Sequence, residues 1–230
     1  MVAFLFYYPD KMIATNAKLV LTTFDQYRRF AYTADMRKKD EKKAEQIIAS
    51  VTELILEVGL SGVTIAKIAQ AADLYPSTIY IYFKDKEDLL RQVFRQQRRQ
   101  LQQYLGEKLA LVSAPNQQVQ IYMRALFQFA QDQPRQLATL NQFLSSPLLD
   151  QLAIPTAEQN LIFPELKTVL QQGQAAGAFR PVPVTLAIAL INSDVLQYAQ
   201  AVQQHLVDPV VTPLDQLLAL TATWLLPPKN

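Results

Sequence analysis

Apolar residues recur at helical spacing from residue 38 onward, and this pattern predicts the first element of the chain. The positions concerned are Ile47, Val51, Leu54, Ile55 and Val58. They fall on one face of a helix of about five turns. Gly59 follows where a left-handed C-terminal cap is favoured, so we expect the helix to end there.

A short second helix is predicted next, with Thr64 as its N-cap. Its apolar face is formed by Ile65, Ile68, Ala69 and Ala72. Asp73 and Leu74 interrupt the pattern. A third helix then opens at Tyr75-Pro76-Ser77, where the missing N–H of proline in the first turn costs nothing.

The third helix has one apolar side and one hydroxyl-rich side. Ile79 and Phe83 lie four residues apart and are expected to pin the helix to the preceding two. The more exposed side chains are then Ser77, Thr78, Tyr80 and Tyr82. Two short helices joined by a tight turn and braced by a longer one form a helix-turn-helix, whose second helix enters the major groove of DNA.

These side chains suit contacts with DNA. Hydroxyls on Ser77 and Thr78 can bind base edges, and Pro76 or Thr78 can meet a thymine methyl. Tyr80 and Tyr82 are long enough to reach phosphates, although both tyrosines can equally serve only to pack a three-helix bundle.

Lysines continue the same candidate surface. Lys84 and Lys86 flank Asp85, the expected N-cap of the next helix, whose N-terminus can itself hold a phosphate. Lys67 adds a cation on the second helix.

The rest of the chain shows helical periodicity in several segments. We predict helices over residues 86–112, from Val119 to Ala130, from Pro134 to near Pro147, and over 156–175, with Gly173, Gly177 and Pro181 marking the exit of the last. Two further helices run from Val184 to Val202 and from Leu214 to Leu225.

The last two helices are the candidates for a dimer interface, because they are apolar on more than one side. Pairing with their copies across a two-fold axis would form a four-helix interface. The residues predicted there are Leu186, Leu190, Leu196, Leu217 and Trp224. The alternative is that these residues form the core of a monomeric bundle.

Composition favours an all-α protein, with only 5 glycines and 50% hydrophobic residues. The chain has no cysteine, which excludes disulfides and thiol catalysis. His205, the only histidine, is expected at the surface near a helix end. We therefore predict no catalytic residues, no metal site and no cofactor, and we do not expect an enzyme.

Positive charge is concentrated towards the N-terminal part. Residues 36–100 hold 12 basic and 9 acidic side chains, against 6 and 8 in residues 101–230. A basic lead-in begins at Arg37, and a later helix carries Arg91, Arg95, Arg98 and Arg99. Such clusters attract a phosphate backbone, but the arginines also fit a merely solvated helix face.

Residues 1–35 carry no clear period. The apolar opening is short and has no basic residue before it, so neither a signal peptide nor a membrane anchor is expected. Met36 and the basic residues after it resemble the opening of a DNA-binding domain. We therefore expect translation to start at Met36, with a DNA-binding domain over 36–90 and a C-terminal helical domain over 91–230.

The run from Thr64 to Phe83, followed by Lys84-Asp85-Lys86-Glu87, resembles the signature of the TetR family of tetracycline-repressor-like regulators. Asp73 replaces the usual turn glycine, and Ser77 replaces a usual glycine on the recognition helix. Asp tolerates a left-handed conformation, so the turn should survive.

The resemblance implies a helix-turn-helix domain followed by a helical bundle for ligand binding and dimerisation. It implies phosphate contacts for Thr64, Tyr80, Tyr82 and Lys86, and base contacts for Tyr75, Pro76, Ser77 and Thr78. The expected protein is a cytoplasmic homodimer that binds palindromic double-stranded operator DNA and represses transcription until a small lipophilic inducer binds.

Residues that could line an inducer cavity are Tyr122, Phe127, Asn141, Phe143, Phe163 and Asn192. The same aromatic residues fit an ordinary core equally. A second functional interpretation also stays open, in which the chain is a helical protein-interaction module whose helix-turn-helix no longer binds DNA.

Overall fold

The computed structural model describes residues 40–161 and 163–227. The chain divides by its contacts into residues 1–47 and residues 48–230. Within the described ranges every regular element is a helix, which confirms the all-α class predicted from the sequence.

The helices agree closely with the predicted segments, apart from the segment over 156–175 and a short helix after Pro147 that was not predicted. A single 3-10 turn at Leu60–Gly62 precedes the second helix. The helices are α1 (40–58), α2 (Ile65–Ala71), α3 (Pro76–Tyr82), α4 (Lys86–Leu109), α5 (Pro115–Asp132), α6 (Pro134–Leu144), α7 (Leu148–Gln151), α8 (Pro164–Ala175), α9 (Val184–Gln203) and α10 (Leu214–Leu225).

Of the segment predicted as helix over 156–175, only α8 is helical. The helix begins at Pro164 because the ring of a proline disfavours helical backbone in the residue before it. Phe163 is accordingly extended, with φ −92° and ψ 142°. Gly173 does not mark the helix exit either, since α8 continues to Ala175 and the positive φ of 71° falls on Gly177.

Proline begins most of the later helices. It stands in the first turn of α3, α5, α6 and α8, and at the N-cap of α7, α9 and α10. The residues are Pro76, Pro115, Pro134, Pro164, Pro147, Pro183 and Pro213. A ring that fixes φ near the helical value starts a helix without needing a side-chain cap.

The core of the C-terminal half is built around α5, which packs against α4, α6, α8 and α9, while α10 lies on α9. One face of α5 is apolar and buried, with Val119, Met123, Leu126 and Ala130 all at most 3% exposed. Burying such a stripe on several neighbours supplies most of the stability of a helix in water.

Three predictions fall outside the described residues: the extension over 1–35, the start at Met36 and the basic lead-in at Arg37. Among the described helices, none has the length and apolar character needed to cross a membrane. His205 is exposed just after the end of α9 and has a φ of 56°, which confirms its predicted place.

Candidate nucleic-acid interface

The second helix is capped as the sequence predicts. The hydroxyl of Thr64 accepts a hydrogen bond from the backbone N–H of Lys67 at 3.3 Å, and the Lys67 ammonium donates to the carbonyl of Gly62 at 3.0 Å. Both side chains are exposed. This end of α2 therefore presents a hydroxyl and a cation to solvent on a fixed backbone.

A tight turn joins α2 to α3. The backbone N–H of Asp73 donates to the carbonyl of Gln70 at 3.2 Å, and that of Leu74 donates to Ala69 at 2.8 Å. Asp73 has a φ of 53°. The prediction that aspartate can replace the usual turn glycine is confirmed, because its short polar side chain tolerates this left-handed conformation.

The third helix is fixed by a few buried apolar residues. Ile79 is fully buried and Phe83 is 2% exposed, as their spacing predicts. The opposite side faces solvent, with Tyr75 80% and Tyr80 55% exposed. Pro76 and Ser77 are also exposed, and Thr78 and Tyr82 are half-buried.

Ile81 was missed when the sequence was read for DNA contacts. Its side chain is 76% exposed on α3. The signal was available, because a residue two positions after the buried Ile79 must lie on the far side of a helix. The DNA contacts expected from the sequence were mainly hydroxyl and basic side chains, and Ile81 is neither.

The start of α4 is capped by carboxylates. Asp85 accepts from the backbone N–H of Asp88 at 2.6 Å, which confirms it as the N-cap, and Asp88 accepts from the backbone N–H of Lys84 at 3.1 Å. Lys86 lies 3.9 Å from the carboxylate of Glu87. A phosphate here would meet acidic neighbours, so Lys84, which is exposed, is the better-placed cation.

Three of the four arginines predicted as a cluster on α4 bind within the protein, whereas Arg99 is exposed. Arg95 forms a charged pair with Glu158 at 2.8 Å. Arg91 donates to the carbonyl of Leu152 at 3.1 Å, and Arg98 to that of Asn160 at 3.2 Å. These three arginines therefore hold the segment between α7 and α8, which corrects both interpretations for them, while a solvated position stands for Arg99.

The predicted ligand residues lie mostly within the core. The hydroxyl of Tyr122 donates to Asn192 at 2.7 Å, and the Asn192 amide donates to the carbonyl of Leu161 at 3.1 Å. Burial raises the pKa of Tyr122 far above its usual value. This phenol therefore stays neutral and acts as a hydrogen-bond donor.

The other predicted ligand residues are spread around the bundle. Phe143 packs against Phe94 and Phe127 against Tyr198, each pair with tilted rings, and the guanidinium of Arg98 lies 4.9 Å from the centre of the Phe163 ring. Asn141 is exposed and lies on a groove of about 450 Å³ between α6 and α9. The structure brings Tyr122 and Asn192 into direct contact and places Asn141 apart from them.

The predicted dimer residues differ in exposure. Leu186 and Leu190 are 49% and 40% exposed on α9. Leu217 and Trp224 are half-buried on α10. Leu196 is half-buried and packs on Ala130, Leu137 and Ala199 of its own chain. Leu220, which the sequence reading missed, is 63% exposed on α10.

The helix-turn-helix formed by α2 and α3 and the helices that follow it define a class of protein: a helix-turn-helix followed by an all-helical bundle. Residues 47–93 match the family model described as bacterial regulatory proteins of the tetR family. The resemblance to the TetR family is thus confirmed over these residues.

Known proteins resemble this chain both in sequence and in structure. An uncharacterized HTH-type transcriptional regulator of Haemophilus influenzae is 29% identical over 112 residues, which are 49% of this chain and 60% of that relative. The aligned part thus spans less than two thirds of the relative. A TetR-family regulator structure from Marinobacter aquaeolei has a TM-score of 0.68 at 22% identity, over 80% of this chain and 94% of its own.

A third similar protein is known with a bound molecule. The structure of the transcriptional regulator FadR of Bacillus subtilis in complex with stearoyl-CoA has a TM-score of 0.62 at 24% identity. The match covers 77% of this chain and 96% of that one. These two structural likenesses show that the fold extends through the C-terminal half.

Proposed function

We propose that this protein is a DNA-binding transcriptional regulator that binds a palindromic operator as a homodimer and represses transcription until a ligand binds. The observation that carries the proposal is the exposed side of α3. Tyr75, Ser77 and Tyr80 face solvent on a short helix that is fixed from behind by the buried Ile79 and Phe83. A rigid helix with an unpartnered polar side is what readout in the major groove requires.

Around this helix lie groups suited to the phosphate backbone. Thr64 and Lys67 are exposed at the start of α2, and Lys84 is exposed beyond the end of α3. Such contacts fix the position of a helix in the groove without reading sequence. They also make binding depend on salt, because each neutralised phosphate releases counterions.

A dimer is supported by the exposed leucines of the last two helices. Leu186 and Leu190 on α9 and Leu220 on α10 leave a substantial apolar area in solvent. Covering such side chains with their copies removes them from water, which favours association. Two helix-turn-helix heads related by a two-fold axis would read a palindrome with half-sites about one helical turn apart.

Direct contacts join the first helix to the bundle and support communication with a ligand. Arg135 of α6 pairs with Glu53 of α1, and Gln136 of α6 binds Gln100 of α4. The buried Gln97 of α4 donates to Thr52 of α1 at 3.3 Å. A ligand that shifts α4 or α6 would therefore change the position of α1, and its effect equals its differential affinity for the two states.

The first test is selection of genomic DNA fragments by the purified chain, followed by titration of the selected site at 50 and 200 mM salt. We expect a palindrome, a sedimentation mass of twice 26.1 kDa and a loss of affinity of about a thousandfold between the two salt concentrations. Lys84→Ala should weaken binding to all sequences alike and lower the salt slope by about one for each copy.

Lys167→Ala is the matched control, since Lys167 is an exposed lysine on α8, outside the proposed DNA surface. It should leave both affinity and slope unchanged. A folded dimer that selects no sequence, or a contact with little salt dependence, would favour the protein-interaction module. The exposed Tyr75 and Ile81 would then be its docking residues.

For the ligand, the low charge of the C-terminal half and the FadR complex together favour a long-chain acyl compound. Stearoyl-CoA at about a hundred times its Kd should raise the melting temperature by roughly 5–10 °C. Coenzyme A without the acyl chain is the control and should give no comparable shift. An equal shift with both compounds, or none with either, would contradict a lipophilic ligand of this kind.

A further inference from the structure

The most exposed apolar side chain on the recognition helix has no role in the proposal so far. Ile81 is 76% exposed on α3, while Ile79 on the other side of the helix is fully buried. Ile81 lies four residues after Ser77, so the two side chains are neighbours on the exposed side. Ile81 therefore lies on the exposed side of α3, one turn after Ser77.

Helix propensity does not explain an isoleucine at this position. A β-branched side chain loses rotamer freedom in a helix, and an exposed helix position favours alanine, lysine, glutamine or glutamate instead. Four other residues of this helix carry hydroxyls: Ser77, Thr78, Tyr80 and Tyr82. Ile81 is thus an apolar group within a surface of hydrogen-bonding groups.

The major groove of DNA contains an apolar group that the Ile81 side chain can contact. Base edges there present hydrogen-bond donors and acceptors and one apolar group, the C5-methyl of thymine. We propose that Ile81 reads a thymine methyl in each half-site of the operator. This inference rests on the proposed DNA binding through α3 and adds the identity of one base.

The test removes the methyl group alone. Each thymine of the selected half-site is replaced in turn by deoxyuridine, and the affinity of the wild-type chain is measured. One position should show a loss of about fourfold per half-site, as expected for one methyl group that is no longer buried. Ile81→Ala should bind the unmodified operator more weakly and lose its sensitivity to deoxyuridine at that position.

Two variants control the result. Leu111→Ala shortens a side chain that is 74% exposed outside the proposed interface, and it should keep the wild-type pattern. Ile81→Val keeps a branched apolar side chain and should retain most of the sensitivity, even if Ile81→Ala binds too weakly to measure.

Some results would overturn the inference. If Ile81→Ala shows the same deoxyuridine sensitivity as the wild type, another residue such as Pro76 or Thr78 reads the methyl. If Ile81→Val and wild type are both insensitive at every thymine, no methyl is read. A wild-type chain that selects no DNA sequence removes the proposed function itself, which separates that failure from the failure of Ile81 alone.

Discussion

Gly173→Ala is expected to destabilise the protein by about 2 kcal/mol or more, because there is no room for a β-carbon at this point of α8. A β-carbon on Gly173 would lie 2.2 and 2.3 Å from two ring carbons of Phe179. The ring is 3% exposed, so it cannot move out into solvent without losing its packing. Alanine regains at most about 1 kcal/mol from helix propensity. The midpoint of thermal unfolding should fall by roughly 4–8 °C.

Gly106→Ala is the matched control for this prediction. Gly106 also lies inside a helix, but its β-carbon would meet Glu165 at 3.8 Å, an ordinary contact. This substitution should raise the free energy of unfolding by about 0.5–1 kcal/mol. Effects of opposite sign at two helical glycines would establish that Phe179 packs on α8. A neutral or stabilising Gly173→Ala would show that it does not.

Asn192→Ala is expected to cost about 2–4 kcal/mol, since it leaves two buried groups without partners. The Tyr122 hydroxyl loses its acceptor and the Leu161 carbonyl loses its donor. Tyr122 is 1% exposed and Asn192 is 8% exposed, so water cannot readily replace the lost bonds. Urea unfolding of the variant and the wild type measures the difference.

An exposed asparagine and a double variant serve as controls for this prediction. Asn141→Ala should change the free energy of unfolding by less than about 0.5 kcal/mol, because Asn141 lies at the surface. Tyr122→Phe in the Asn192→Ala background should recover part of the loss, since no hydroxyl is then left unpaired. Equal costs for the two asparagine variants would contradict a structural role for the buried amide.

Local signals explain why the helix-turn-helix region could be predicted closely. The cap at Thr64, the turn at Asp73, the burial of Ile79 and the cap at Asp85 each depend on residues within a few positions along the chain. Capping and turn geometry are determined by adjacent backbone and side chains, so the sequence contains them directly. Their spacing also carried the family resemblance.

Long-range partners explain what the sequence did not show. Arg95 meets Glu158, and Arg91 meets the carbonyl of Leu152, about sixty residues further along the chain. No periodicity within α4 identifies such partners, so the arginines could only be read as phosphate ligands or as a solvated face. Gly173 was misread for a different reason: the ring that requires it belongs to Phe179, six residues later, and helical periodicity does not show where the chain folds back after the end of α8.

The residues predicted to bind a ligand or to form a dimer interface could be predicted only in part. Their helices and their apolar character were predictable from spacing, whereas the role of each side chain depends on packing between elements. Asn192, for example, is polar on a largely apolar helix and suggested a ligand contact, yet both ends of its amide are bound within the protein. A ligand contact at this residue would first have to displace one of these bonds.

The prolines at the starts of the helices affect which substitutions the chain can tolerate during evolution. Because α5, α6 and α8 begin with a rigid ring, their starting points are set by backbone geometry and not by the side chains that face the interior. Substitutions on those inner faces can then accumulate without moving the helix limits. A helical bundle built in this way can change the lining of its interior over evolution while its helices keep the same limits.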